Sequence, residues 1–163
     1  MIITTSRKPS SRTRKFCKNF SHSTGFDYIN RGKSNMREVL LKALELDEDY
    51  IAIVNEIKGN PSKITFYTSK GEIIIAILIS ASLSNTRLHI NPKDLKIKAD
   101  FEELNPLNDI LGFSIAQDIK ENYIHILPYD NPEDFKIGKI NFYNKFGDLT
   151  DFQIIIKKIL YND

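Results

Sequence analysis

The order of strand and helix patterns in the first eighty residues most strongly constrains how this 163-residue chain can fold. Residues 2–5 are apolar and β-branched, as in a short buried strand. Residues 12–20 carry apolar side chains at steps of three and four, which is typical of an amphipathic helix. The elements predicted to follow are a strand at 26–30, a helix after Asn35, and strands at 50–57, 64–68 and 72–79. This order predicts an α/β sandwich.

Both predicted helices have an apolar side and a recognisable start. Ser10 or Ser11 is expected to cap the first helix, and Asn35 with Glu38 forms a cap-like start for the second. The inward side chains of the first helix are predicted to be Thr13, Phe16, Cys17 and Phe20. Those of the second are predicted to be Met36, Val39, Leu40, Ala43 and Leu44.

The second half of the chain has a less regular pattern. Its predicted elements are short strand pieces within 88–97, a helix at 106–113, and strands at 123–127, 139–143 and 152–160. A chain of this length predicts one domain, residues 1–163, and its approximate halves, 1–80 and 81–163, are candidates for distant copies of one unit.

Positive charge is concentrated at the N-terminal end. Residues 1–37 hold nine basic side chains and one acidic one, whereas the remainder holds 14 basic and 20 acidic side chains. An asymmetry of this kind indicates that one region meets a polyanion.

The basic side chains lie at predicted strand-to-helix turns and on the first helix. Such turns share one edge of a wound sheet, and the free N–H groups of a helix start favour an anion there. Arginine adds paired contacts to phosphate. We therefore predict RNA contacts from ten residues: Arg7, Lys8, Arg12, Arg14, Lys15, Lys18, Arg31, Lys33, Lys58 and Lys63.

Catalytic and cofactor motifs are weak in the sequence. Gly32, Lys33 and Ser34 match only the end of a nucleotide-binding loop, because no glycine stands five positions before Gly32. The three histidines lack metal-ligand spacing, and the single Cys17 is expected in the core rather than as a nucleophile. No apolar run approaches the length of a membrane helix. We predict no catalytic residue, cofactor, metal or membrane contact.

Three motifs resemble the Brix-domain family. They are ITTSRKPSSR at residues 3–12, YINRGK at 28–33 and KGNP at 58–61, so the resemblance is strongest over residues 2–68. Residues 152–159 are compatible with the family ending. The chain is similar in extent to one such domain, as in the stand-alone archaeal members.

The resemblance implies a non-catalytic, cytoplasmic factor in ribosome biogenesis that binds ribosomal RNA or its precursor and works with other assembly proteins. It also implies two related α/β halves that form one compact sandwich and resemble the anticodon-binding domain of some aminoacyl-tRNA synthetases. Two other functions remain open: a protein-docking module that contacts RNA only indirectly, and an RNA-processing enzyme.

Overall fold

The computed structural model describes residues 1–131 and 134–161, and within these ranges the chain forms one ten-stranded mixed sheet with three α-helices. The first half contains β1 (Ile2–Thr5), α1 (Ser11–Thr24), β2 (Asp27–Tyr28), α2 (Met36–Glu45), β3 (Tyr50–Ile57), β4 (Asn60–Thr68) and β5 (Ile73–Ser82). The second half contains β6 (Lys96–Ala99), α3 (Asn105–Leu111), β7 (Ser114–Ile115), β8 (Tyr123–Pro128), β9 (Gly138–Tyr143) and β10 (Leu149–Tyr161). Short 3₁₀ helices span Pro92–Asp94 and Glu102–Leu104.

The strand order repeats between the two halves. In the first half β1 lies parallel to both β2 and β3, and β3, β4 and β5 follow as antiparallel neighbours. In the second half β6 lies parallel to β7 and β8, and β8, β9 and β10 are antiparallel. The antiparallel pair β5–β10 joins the halves, with Ile79 opposite Ile156. The predicted mixed α/β class is confirmed.

The main core lies on the side of the sheet that α1 and α3 cover. Phe16 and Phe20 project from α1 and contact Phe152 of β10, with ring centroids 5.6 and 6.3 Å away. Phe142 of β9 stacks on Phe152 at 4.6 Å. Since α1 belongs to the first half and β9 and β10 to the second, both halves are held around a single aromatic cluster.

The opposite side of the sheet differs between the halves. In the first half, Val39 and Ala43 of α2 pack on Ile2, Ile51 and Ile53. In the second half, residues 116–122 join β7 to β8 without forming a helix. The strands of the second half therefore lack the covering helix that α2 provides for the first.

Hydrogen bonds at the helix starts explain where α1 and α2 begin. Ser10 Oγ accepts from the N–H of Thr13 at 3.1 Å, so Ser10 is the predicted cap. Asn35 Oδ1 accepts from the N–H of Glu38 at 2.9 Å, and the Glu38 side chain accepts from the N–H of Asn35. Helix α1 ends at Gly25, whose φ of 77° suits a residue without a Cβ.

Several predicted details of the elements are wrong. Leu44 was expected to face inward but is 64% exposed. The short α2 contacts the sheet only through Met36, Val39, Leu40 and Ala43. The strand expected at 26–30 is reduced to Asp27–Tyr28, and residues 88–97 contain only a 3₁₀ helix and the start of β6. The short edge strand β7 was not predicted. No helix in the described ranges has the length and apolar composition needed to cross a membrane.

Candidate nucleic-acid interface

The outer side of α1 carries four of the ten predicted RNA-binding residues. Arg12, Arg14 and Lys18 are exposed and Lys15 is half-buried. The four side chains of α1 that were predicted to face inward are all buried, and Asn19, Ser23 and Thr24 are buried in addition. The division of α1 into an apolar and a basic side is therefore confirmed, and the packing of the apolar side fixes the direction of the basic side.

A groove of about 520 Å³ lies beside the first turn of α1, and we call it the Arg12 groove. Its cationic lining is Arg12, Lys58 and Lys157, and none of the described lining residues is acidic. Arg12 Nη2 donates a hydrogen bond to the carbonyl of Ala81 at 3.2 Å, so the guanidinium is held against β5. Lys157 was missed by sequence reasoning, since only the pairing of β10 with β5 brings it here.

A second groove of about 550 Å³ lies at the other end of α1, and we call it the Arg87 groove. It is lined by His22, Arg87, His89 and Lys145, again without an acidic residue among the described ones. Asn19 fixes the nearby segment to α1, because its side chain accepts from the N–H of Ser84 at 2.9 Å and donates to the carbonyl of Ser84 at 3.3 Å. No local sequence pattern indicates this groove, because its residues come from three separated segments.

The start of α1 is occupied by a carboxylate of the protein itself. Glu56 accepts hydrogen bonds from the N–H of Ser10 at 3.0 Å, from Ser10 Oγ at 2.9 Å and from the Thr13 hydroxyl. The Thr13 hydroxyl and then the Ser10 N–H lower the pKa of Glu56 below its usual value. Glu56 therefore places a carboxylate of the protein itself beside this helix start, where a phosphate was expected, and already uses the N–H of Ser10.

The loops after β1 and β2 lie at one edge of the sheet, as predicted from their parallel strands. Arg7, Lys8 and Lys33 are exposed in these loops. Lys58 lies in the turn after β3, which is parallel to β1 and therefore reaches the same edge. Together these four side chains extend the basic surface of α1 along the sheet edge.

Two predicted residues are placed differently. Arg31 is only 9% exposed, and its guanidinium donates from Nη1 to the Thr5 carbonyl at 2.9 Å and from Nε to the Ser34 carbonyl at 2.8 Å. Burial lowers the pKa of Arg31. Lys63 alternates with Ile64, which faces the α1 side, so Lys63 lies on the opposite side of the sheet. The structure therefore brings neither side chain to the outer side of α1.

Cysteine and histidine often act in catalysis, but Cys17 and His125 are held in place by packing or by a neighbouring side chain. Burial raises the pKa of Cys17 to about 12, and the thiol lies in the core as predicted. His125 is half-buried, with Nε2 2.6 Å from a carboxylate oxygen of Asp100. Among residues 1–131 and 134–161 there is no group of three or more His, Cys, Asp and Glu side chains placed to hold a metal ion.

Comparisons with known proteins agree on one family, although no family model matches the chain. A probable Brix domain-containing ribosomal biogenesis protein of Methanothermobacter thermautotrophicus is 35% identical over 117 residues, covering 72% of this chain and 73% of that protein. A protein of the same description from Methanosarcina mazei is 37% identical over 81 residues, which is 49% of each chain. The crystal structure of Mil, an archaeal Imp4-like protein, superposes with a TM-score of 0.86 at 26% identity over 99% of both chains. The chain belongs to the Brix-domain family of ribosomal biogenesis proteins.

Proposed function

We propose that this protein is a ribosome-biogenesis factor that binds ribosomal RNA or its precursor along the outer side of α1 and the adjoining sheet edge. The observation that carries the proposal is the pair of grooves at the two ends of α1, the Arg12 groove and the Arg87 groove, neither lined by a described acidic residue. Lys15 and Lys18 lie on α1 between them. Family membership supplies the ribosomal context.

The dimensions of α1 suit a nucleic-acid backbone. Ten residues separate Arg12 from His22, which corresponds to about 15 Å along a helix axis. A strand of RNA that follows this path meets cations at both grooves and at Lys15 and Lys18 between them. Phosphate contacts of this kind supply affinity and register but little reading of sequence.

The mechanism that we propose is passive. The rigid sheet holds the basic surface in one geometry, so that a folding segment of ribosomal RNA is ordered when it binds. The proposed RNA contacts are the ten residues predicted from the sequence, except Arg31, which is turned inward, and Lys63, which lies on the opposite side of the sheet. Acidic side chains outside these basic surfaces repel RNA and leave a surface for other ribosome-assembly proteins.

The finer parts of the proposal rest on the fold and the family. We propose that the chain acts as one domain, because a single sheet runs through both halves. The repeated strand order supports two related halves, and we propose from the family resemblance that they are similar to an anticodon-binding domain. We also propose a non-catalytic role in the cytoplasm, in keeping with the relatives, which are described as probable ribosomal biogenesis proteins.

The test is the salt dependence of binding to a structured ribosomal RNA precursor fragment. A Lys15→Gln/Lys18→Gln variant is compared with wild type and with a matched control, Lys42→Gln/Lys70→Gln, which removes the same charge from exposed positions away from α1. Each lost phosphate contact lowers the magnitude of the slope of log affinity against log salt by about 0.7–0.9. The slope of the α1 variant should therefore fall by about 1.4–1.8, and the slope of the control should stay unchanged.

Equal slopes for wild type, variant and control would overturn the proposed interface. Weak binding without salt dependence would instead favour the protein-docking module, in which the basic surface meets an acidic protein. In that case a partner would be recovered equally well after nuclease treatment.

A further inference from the structure

The uncovered side of the sheet in the second half has an unusual composition. Six residues on β6, β8 and β9 form what we call the open face: Lys96, Lys98, Tyr123, His125, Asn141 and Tyr143. They alternate with residues that are buried on the α1 and α3 side, such as Ile97, Ile124 and Phe142. The equivalent side of the first half is apolar, because α2 covers it.

Strand pairing brings the six side chains into two adjacent rows. Tyr123 pairs with Tyr143 and with Lys96 on the other side, and His125 pairs with Asn141 and with Lys98. Each row therefore contains a lysine on β6, a tyrosine or histidine ring on β8, and a tyrosine or asparagine side chain on β9. Neighbouring positions along a strand on the same face are about 7 Å apart, so the rows are adjacent.

The two tyrosines form an aromatic pair at the centre of the first row. Their ring centroids lie 4.3 Å apart and their planes differ by 5°. Both side chains are half-buried, and burial followed by the neighbouring Tyr143 raises the pKa of Tyr123, so the Tyr123 hydroxyl stays neutral. Parallel, rigid rings that remain accessible offer a surface on which a flat heterocycle stacks.

The second row contains an unused hydrogen-bond acceptor. Asn141 is 8% exposed, and its Oδ1 atom is buried without a hydrogen-bond partner among the described residues. A buried polar atom of this kind is costly unless a ligand or water satisfies it. His125 beside it is held by Asp100. Lys96 is exposed and Lys98 half-buried, and neither forms a salt bridge with another described residue.

We propose that the open face binds unpaired RNA: a base stacks on the Tyr123–Tyr143 pair, the Asn141 amide oxygen accepts from an N–H group on a base edge, and Lys96 and Lys98 contact phosphates. A duplex cannot use this surface, because its bases are stacked on one another. The inference rests on the proposed RNA binding and adds single-strand selectivity to it. It also accounts for the absence of a covering helix between β7 and β8, since such a helix would block the rings.

The experiment compares an unstructured 12-nucleotide RNA with a blunt duplex of equal length by fluorescence anisotropy at fixed salt. Tyr143→Leu removes the ring but keeps an apolar side chain, and Tyr143→Phe, which keeps the ring, is the matched control. Stacking on an aromatic side chain corresponds to about 5- to 150-fold in affinity per base, so we expect Tyr143→Leu to lose about tenfold for the single strand and nothing for the duplex. Tyr143→Phe should remain within about twofold of wild type.

Lys96→Gln/Lys98→Gln is a second variant that leaves the rings in place and tests the face independently if Tyr143→Leu fails to fold. When the anisotropy titrations are repeated over a series of salt concentrations, this variant should lower the single-strand salt slope by about 1.4 and leave the duplex slope unchanged. Unchanged single-strand binding in both folded variants would overturn the open-face proposal, even if Lys15→Gln/Lys18→Gln still weakens RNA binding. A wild-type protein that binds the structured precursor fragment but not the single strand would overturn the open-face proposal alone.

Discussion

Replacement of Glu56 by Gln tests whether an internal carboxylate holds the start of α1. In the folded protein the Glu56 carboxylate accepts from the N–H and Oγ of Ser10 and from the hydroxyl of the fully buried Thr13. All three donors reach the same oxygen, Oε2, so the amide oxygen of glutamine can keep the contacts but not the charge. A hydrogen bond to a charged group contributes about 1.5–3 kcal/mol and a neutral one about 0.5–1.5 kcal/mol, so the free energy of unfolding at pH 7 should fall by about 2 kcal/mol.

The effect of Glu56→Gln should depend on pH. The hydrogen bonds from Thr13 and Ser10 hold the pKa of Glu56 below its unfolded-state value, so the carboxylate stabilises the fold above the ordinary glutamate pKa of about 4.3. This stabilisation is lost as the pH falls through the lowered pKa, because protonated Glu56 resembles glutamine. Wild type and variant should therefore become equally stable in strong acid.

The assay is urea unfolding of both proteins at pH 7, 5, 4 and 3, followed by circular dichroism. A stability difference that is the same at pH 3 and pH 7 would refute the reasoning, since it would not come from the charge of Glu56. A Thr13→Val variant removes one of the three donors. In the double variant, the losses in free energy of unfolding from Thr13→Val and Glu56→Gln should not be fully additive.

Three further predictions concern the core and a turn. Phe152→Ala should lower the free energy of unfolding by about 3–5 kcal/mol in urea, because its fully buried ring contacts α1 and β9; a loss under about 1 kcal/mol would mean that the two halves do not share this core. The Cys17 thiol should resist a thiol reagent at pH 8 in the folded protein and react fully in urea, because burial raises its pKa to about 12; rapid reaction without urea would contradict its burial. Gly147→Ala should cost about 2–3 kcal/mol, since φ is 84° and the new Cβ would lie 2.6 Å from the Lys120 carbonyl; an unchanged urea midpoint would rule out that close approach.

Local sequence patterns were sufficient for much of the first half. The three- and four-residue spacing around Phe16 and Phe20 predicted α1, and Asn35 with Glu38 predicted the start of α2. The strand predicted at residues 50–57 has the bounds of β3, because its apolar run ends at a turn marked by glycine. These elements were predictable since their signals lie within a few residues of one another.

The features that were missed depend on contacts between distant segments. Arg31 turns inward because the Thr5 carbonyl accepts from it, and nothing near Arg31 in the sequence indicates that bond. Lys157 reaches the Arg12 groove through the register of β10 on β5. The short strand β7 has two residues, too few for an alternating pattern, and its place at the sheet edge comes from its pairing with β6.

The open face was missed for a different reason. A polar, aromatic strand surface has the same alternating pattern whether or not a helix covers it, so Tyr123 and Tyr143 were predicted only as members of strands. The absence of a helix in residues 116–122 is what leaves them accessible.

The β5–β10 pair also has a consequence for synthesis of the chain. Its two strands are separated by about 66 intervening residues, and β5 contains an isoleucine-rich run from Ile73 to Ile79. While the ribosome has yet to release β10, β5 is an unprotected sheet edge of the type that pairs with other chains. A nascent chain that stalls before Leu149 is therefore exposed to aggregation, and completion of the last strand closes that vulnerable edge.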